Sequence, residues 1–353
     1  MTALDQDKLD QFMGLAVTDF GAFASGVLVY VGDRLGIYRA LAASGPVTAA
    51  ELADRTGLQP RLLREWLCNQ AAGAYVDYDA ATETFALSPE QAYALADQTS
   101  PVYLGGLAEL MVSIAADADK VVDGLRGGGL HWHEHDSRLF SGTERFFRPG
   151  YAANLVPSWV PALDGVEEKL TRGARVADLG CGHGASTIVL AEAYPRSTFV
   201  GSDYHPASVE AARKAASEAG VADRVSFEVQ SAQAFDGGPY DLVAMFDSLH
   251  DMGDPLGAAR RIREQLAPDG TLLLVEPNAG ATLVDNLNPV GRLFYAASTT
   301  VCTGNAVAQG GGDEVLGAQA GEGRTQAVFE EAGFTRFRRA TETPFNAVYE
   351  VRP

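Results

Sequence analysis

The segment RVADLGCGHGASTIVLAEAYPRSTFVGSDYH, starting at Arg175, constrains the fold most. Val176 to Leu179 reads as a short apolar strand. Gly180, Gly182 and Gly184 make a tight turn, and Ala185 to Tyr194 continues as a helix. A glycine turn lets the backbone approach a ligand where a Cβ would collide. The free N–H groups at the helix start suit an anionic group. A second strand, Ser197 to Ser202, ends at Asp203, nineteen residues after Gly184. An acid at that strand tip can accept both hydroxyls of an adenosine ribose. Strand, turn, helix and strand in this order predict an α/β sheet of parallel strands. The candidate ligand-binding residues here are Asp178, Gly180, Cys181, Gly182, Gly184, Asp203 and Tyr204.

Glycine spacing alone leaves two ligands open. Gly180-x-Gly182-x-x-Ala185 also satisfies the dinucleotide pattern. Asp178, two residues before Gly180, weighs against it, because its carboxylate would repel a pyrophosphate but attract an ammonium. The run Asp178-x-Gly180-x-Gly182-x-Gly184 resembles motif I of the class I S-adenosylmethionine (SAM)-dependent methyltransferases. The resemblance implies a Rossmann-like class I methyltransferase sheet over about residues 165–353, with SAM as co-substrate. It extends to a third strand at Val225 to Val229. The following Gln230-Ser231-Ala232 would meet the adenine through Ser231 or through backbone groups near Ala232. Tyr240 to Phe246 matches the fourth strand, with Phe246 beside the methyl donor. Asp254-Pro255 opens a helix, Pro268-Asp269-Gly270 reads as a turn, and Thr271 to Glu276 is the fifth strand. Ala327 to Gly333 ends a later helix, and Phe345 to Val351 closes the sheet.

The same resemblance places the chemistry. A His-Asp pair follows the fourth strand in small-molecule O-methyltransferases, and here His250-Asp251 falls there. It implies His250 as general base, with Asp251 beside it and Glu276 orienting the ring. A second family glutamate aligns with Gly323, one residue from Glu322.

Residues 1 to about 165 read as mostly helical. Thr48-Ala-Ala-Glu51 is a capping box opening AELADRTG, which stops at Gly57. QPRLLREWLCNQAAG follows with an apolar face of Leu62, Leu63, Trp66 and Leu67, ending at Gly73. AYVDYDAATETFALSP supplies two short β-prone runs, and Ser88-Pro89 starts another helix. Helix, turn, helix and hairpin resemble a winged helix. Residues 1–95 carry six basic and twelve acidic side chains. A DNA-binding face needs cations for the phosphates, so a dimerisation and substrate-covering module is expected, in a homodimer. The domains are read as 1–100 (winged-helix-like), 101–165 (helical linker and pocket cover) and 166–353 (SAM-binding).

His131-Trp132-His133-Glu134-His135 alternates histidines, but no other residue at ligand spacing accompanies them. A solvent-facing loop without metal is expected. The insertion between Asn278 and Thr325 holds an apolar helix at Leu293 to Val301 and glycines Gly310 to Gly312 that suggest a mobile segment. With helices near residues 10–35 and 101–160 it would roof an acceptor pocket. Tyr30, Tyr103, Trp159, Phe294 and Tyr295 are aromatic candidates, although core packing is the commoner role of such rings.

The 353 residues carry a net charge of −19, which opposes partners built of phosphate or anionic lipid. Three dispersed cysteines, Cys68, Cys181 and Cys302, suit a reducing compartment, with no zinc framework. The longest apolar stretch, Gly21 to Gly32, is shorter than the ~20 residues of a membrane span and reads as a buried helix. A cytoplasmic enzyme that methylates O or N of a small, fairly apolar metabolite is therefore expected. A SAM-sensing regulator without turnover and an NAD(P)-dependent oxidoreductase are the alternatives.

Overall fold

The computed structural model describes residues 4–312 and 314–353. It divides into two compact units, Met1–Val112 with Ser141–Pro149, and Ser113–Phe140 with Gly150–Pro353. The stretch read as a linker, 101–165, is thus shared between them.

In the first unit, Gln6–Leu35 is one 30-residue helix, about 45 Å long. Ile37–Ser44, Ala49–Thr56 and Pro60–Ala72 follow, then the hairpin of β1 (Asp77–Asp79) and β2 (Thr84–Ala86), then Pro89–Leu95. The local signals act as read. Thr48 and Glu51 cap reciprocally, as do Ser88 and Gln91. Gly57 takes the left-handed conformation that ends its helix. Ile37, Tyr38, Leu41, Leu52, Leu63, Trp66, Leu67 and Phe85 form the core. Tyr38 meets Trp66 edge-on at 5.1 Å and donates to Gln70 at 2.6 Å. Leu62 departs from its expected place: it is 70% exposed, because the buried stripe runs through Leu63, Trp66, Leu67 and Gln70.

The long helix overturns the reading of Gly21 to Gly32 as a short buried segment. Only Val29, Gly32 and Asp33 are buried in it. Phe12, Val17, Phe20 and Phe23 are 60–75% exposed. By length and composition alone this helix is apolar enough to cross a membrane, and only 6% of its most apolar window is buried. Its C-terminal end is anchored. Asp33 accepts from Tyr103 Oη and, at 2.7 Å, from Arg145, whose guanidinium also reaches Glu109. Tyr103, a pocket candidate by sequence, is therefore a buried member of this network. Burial and Asp33 push its hydroxyl up to about 12.

In the second unit, seven strands form one Rossmann-like sheet: β3 (Arg175–Leu179), β4 (Thr198–Asp203), β5 (Val225–Val229), β6 (Tyr240–Phe246), β7 (Leu266–Pro277), β8 (Arg336–Glu342) and β9 (Asn346–Arg352). Their order is β5-β4-β3-β6-β7-β9-β8, with only β9 antiparallel to its neighbours. Leu179, Val243, Met245, Leu272, Leu274 and Tyr349 are among its fully buried residues. The near-continuous apolar runs follow from helices covering both faces. Pro268-Asp269-Gly270, expected as a turn ahead of the strand Thr271 to Glu276, lies instead inside β7, in a register shift between the pairs Tyr240–Leu266 and Leu242–Thr271. The charged run RFRRATE gives no alternating apolar signal, so β8 is an element the sequence reading missed.

The sheet order reverses beside β3. The carboxyl ends of β3, β4 and β6 open onto that point, where open α/β sheets bind ligands.

Candidate active site

The glycine turn after β3 has the geometry its composition demands. Gly180, Gly182 and Gly184 all have positive φ, at 70°, 52° and 78°. A Cβ on Gly184 would lie 2.7 Å from the Phe227 ring, and one on Gly180 would strike Ser248 at 2.7 Å. A Cβ on Gly182 meets nothing within 4 Å, so the turn is open there.

Two carboxylates frame this turn. Asp178, at the end of β3, is fully buried and accepts at Oδ2 from Ser186 and Thr187, both at 2.6 Å. Its Oδ1 is buried with no hydrogen-bond partner among the described residues. Burial pushes the Asp178 carboxyl up to about 6. Asp203, at the tip of β4, accepts from the Gly182 N–H at 3.0 Å and the His205 N–H at 2.9 Å. Each carboxylate oxygen keeps a second lone pair for a further donor. Burial raises the Asp203 carboxyl as well. Tyr204 donates to Asn305 Oδ1 at 3.3 Å. Cys181 is buried, with Sγ 3.0 Å from where a Cβ on Gly201 would stand. Ser231 follows β5 and accepts from the Ala234 and Phe235 N–H groups, whereas the Ala232 side chain belongs to the core. Ala232 itself can therefore offer a ligand only its backbone groups.

Phe246, at the end of β6, packs against Tyr151 at 5.2 Å and stacks with Trp159 at 6.4 Å, forming an aromatic wall. Its neighbour Asp247 went unnoticed in the sequence. It has φ 48°, rare for a residue with a Cβ, and Asn346 donates to both its oxygens at 2.9 and 3.1 Å. Burial, then Glu276, drives its carboxyl well up. Among the described residues, no lysine or arginine pairs with Asp178, Asp203 or Asp247. A buried Asp178 and partly buried Asp203 and Asp247 without such a partner cost free energy that a cationic ligand would relieve.

His250 lies in a helical turn, Leu249–Asp251, after β6. Its Nδ1 is 2.5 Å from Glu276 Oε2 at the end of β7, and Glu276 Oε1 accepts from the Leu249 N–H at 3.0 Å. This bidentate use of Glu276 fixes both ring and turn. His250 Nε2 lies 3.2 Å from Asp251 Oδ1. Burial favours the neutral imidazole, but Glu276 and Asp251 on its two sides outweigh it and hold the ring protonated well above the usual histidine range. Glu322 stands apart: it pairs with Arg339 at 2.7 Å.

The stretch after Asn278 is largely helical: Pro289–Ala297, the wide turn Ser298–Cys302, and Thr303–Ala308. It is latched to the His250 turn. Asn305 Nδ2 donates to Asp251 O at 3.0 Å, and the Gly317 N–H donates to His250 O at 3.1 Å. Asn305 Oδ1 also accepts from the Trp132 N–H at 2.9 Å. The histidine cluster departs from the solvent-facing loop expected of it. His131 and His133 stack on each other, but His135 is buried. Asp117 accepts from His135 Nδ1 at 3.0 Å, while burial keeps the ring neutral and leaves its Nε2 without a partner among the described residues. Alternating histidines in a sequence give no sign of which one turns inward.

Residues 170–333 match a family model described as a methyltransferase domain, and residues 23–97 one described as an Rv2258c-like winged HTH domain. The 27-O-demethylrifamycin SV methyltransferase of Amycolatopsis mediterranei (strain S699) is 30% identical over 159 residues, 44% of this chain and 53% of that protein. The chain spans about half the length of the curated relatives it matches. Likeness of fold extends further. Mitomycin 7-O-methyltransferase superposes with a TM-score of 0.72 at 20% identity, over 99% of this chain and 100% of that one. Human N-acetylserotonin methyltransferase, solved in complex with SAM, gives 0.68 at 17% identity over 100% and 99%.

Proposed function

We propose, on the premise that residues 170–333 are a SAM-dependent class I methyltransferase domain behind a winged helix-turn-helix domain, that this chain methylates a hydroxyl oxygen of a small, fairly apolar metabolite. The observation that carries this reading is the set of buried and partly buried acids around an open glycine turn. Among the described residues Asp178, Asp203 and Asp247 pair with no lysine or arginine, and a sulfonium with an ammonium group supplies the missing positive charge. The dinucleotide alternative would bring a pyrophosphate into the same acids and is disfavoured by charge.

Bound SAM supplies an electrophilic methyl group on sulfur. The chain supplies the rest. Asp203 holds the ribose hydroxyls, joined by Tyr204. Asp178 holds the ammonium through its unspent Oδ1. Gly180, Cys181, Gly182 and Gly184 give backbone access, and Ser231 with the backbone at Ala232 borders the adenine. Phe246, Tyr151 and Trp159 offer an apolar wall. His250 takes the acceptor's hydroxyl proton at Nε2 while Glu276 keeps Nδ1–H engaged. Asp251 shares in holding the ring. Because the free imidazole is held protonated, the base form grows in as pH rises beyond the ordinary histidine value of 6.5. Turnover therefore has its acid limb on the alkaline side of that value.

The exposed apolar helix at the N-terminus pairs with a second copy to form a homodimer, and the acidic winged helix does not take DNA. Three free cysteines, one of them exposed, fit the cytoplasm. The test separates binding from chemistry. His250→Ala keeps SAM affinity and loses about 10²–10⁴-fold in turnover, whereas Asp203→Ala weakens SAM in calorimetry. Undiminished turnover in the first variant removes the base, and undiminished affinity in the second removes the ribose contact.

A further inference from the structure

We propose that His250, Asp251 and Cys302 form a binding site for a soft divalent cation of the zinc class. Cys302 has no part in the methyl-transfer account, yet it closes on the same turn. One donor atom from each of the three side chains lies within 4.8 Å of the other two. Imidazole nitrogen, carboxylate oxygen and thiolate sulfur are the donor types zinc selects. Zinc bonds of about 2.0–2.3 Å call for donors roughly 3.5 Å apart, so the cluster needs a contraction of about 1 Å.

Three further observations point to a ligand here. Glu276 binds His250 Nδ1 at 2.5 Å, which leaves Nε2 as the donor facing Asp251. A carboxylate on the far ring nitrogen is the usual outer partner of a metal-bound histidine. Asp251 Oδ1 is buried 3.2 Å from Nε2, and the Cys302 thiol reaches the same carboxylate, so the three donors converge on one point. The cluster is also braced from behind: the Asp251 carbonyl accepts from Asn305, itself 2% exposed, and Cys302 closes the wide turn Ser298–Cys302.

On binding, the cation takes the Nε2 lone pair, a carboxylate oxygen and the sulfur, and both the Nε2 proton of the imidazolium and the thiol proton leave to solvent. The three protein donors leave one position for water. With Nε2 coordinated, His250 cannot accept a proton, so the cation arrests the methyl transfer. That consequence rests on the proposed function; the site itself does not.

The experiment is therefore a binding measurement without turnover. The full chain, stripped of metal, is titrated with Zn²⁺ against a chromogenic chelator and with Co²⁺ by absorption. One equivalent of each per chain is expected, and the cobalt form should show a thiolate charge-transfer band. Cys302→Ser should abolish that band. Glu276→Gln should weaken zinc about 10–100-fold, and Asp251→Asn serves as a second ligand variant. Circular dichroism and thermal melting establish which variants keep the fold. Absence of a one-equivalent site, a cobalt spectrum without the sulfur band, or equal zinc affinity in folded Cys302→Ser and Asp251→Asn proteins overturns the proposal.

Discussion

Asp178 is a fully buried carboxylate whose Oδ1 has no hydrogen-bond partner among the described residues. Its carboxyl, pushed up to about 6 by burial, is neutral in acid and ionised only above that point. A cationic ligand selects the ionised form. SAM affinity should thus hold above pH about 6 and fall below it, approaching tenfold per pH unit. Calorimetry across that range checks the sign, and Asp178→Asn should flatten the profile. Constant wild-type affinity through the range would separate Asp178 from the ligand. Gly184 makes a second prediction. Alanine there combines a left-handed φ with a contact 2.7 Å from the Phe227 ring. It should cost about 1–3 kcal/mol in chemical denaturation; wild-type stability would mean that Phe227 yields freely. These positions were legible in the sequence because glycine and acid spacing report backbone geometry. Asp247 and Asn305 were not. An Asp after an apolar strand and an Asn in a helix are common, and only long-range packing against Asn346 and Trp132 gives them roles.

The elements divide in the same way. Strands β3 to β6 were readable to within a residue or so at their ends, since buried parallel strands spell out apolar runs between turn residues. β8 was hidden, because its polar face leaves no alternation to count. The stretch after Asn278 was read as partly mobile, yet Gly310 and Gly311 donate back to Val307 and Ala306 in a hydrogen-bonded turn. Asn305 is the fastener between that stretch, the Trp132 loop and the His250 turn. Removing a buried amide that makes three such bonds strands its partners, at about 1–3 kcal/mol each. Asn305→Ala should therefore raise amide exchange across residues 250–253 and 303–309 while β3 and β6 stay protected. Unchanged exchange in those two segments would show that the latch is redundant.

For the whole molecule, the helix Gln6–Leu35 is where composition and structure part most sharply. Its length came from Asp5 as an N-cap and from glycines at positions 14, 21 and 26 that the helix tolerates rather than obeys as stops. Light scattering should find a dimer for the wild type and a monomer once Phe12, Phe20 and Phe23 are all changed to serine. An unaltered mass would remove this face from the assembly. At the level of chemistry, we propose that this chain moves the methyl group of SAM onto a small hydroxylated molecule with His250 as base. Incubation with methyl-labelled SAM and a metabolite extract, read by mass spectrometry, tests it most directly. The wild type should yield a labelled product and an equal amount of S-adenosylhomocysteine, and His250→Ala should yield neither above background. Equal labelling by the variant, or none by the wild type across hydroxylated acceptors, would contradict it.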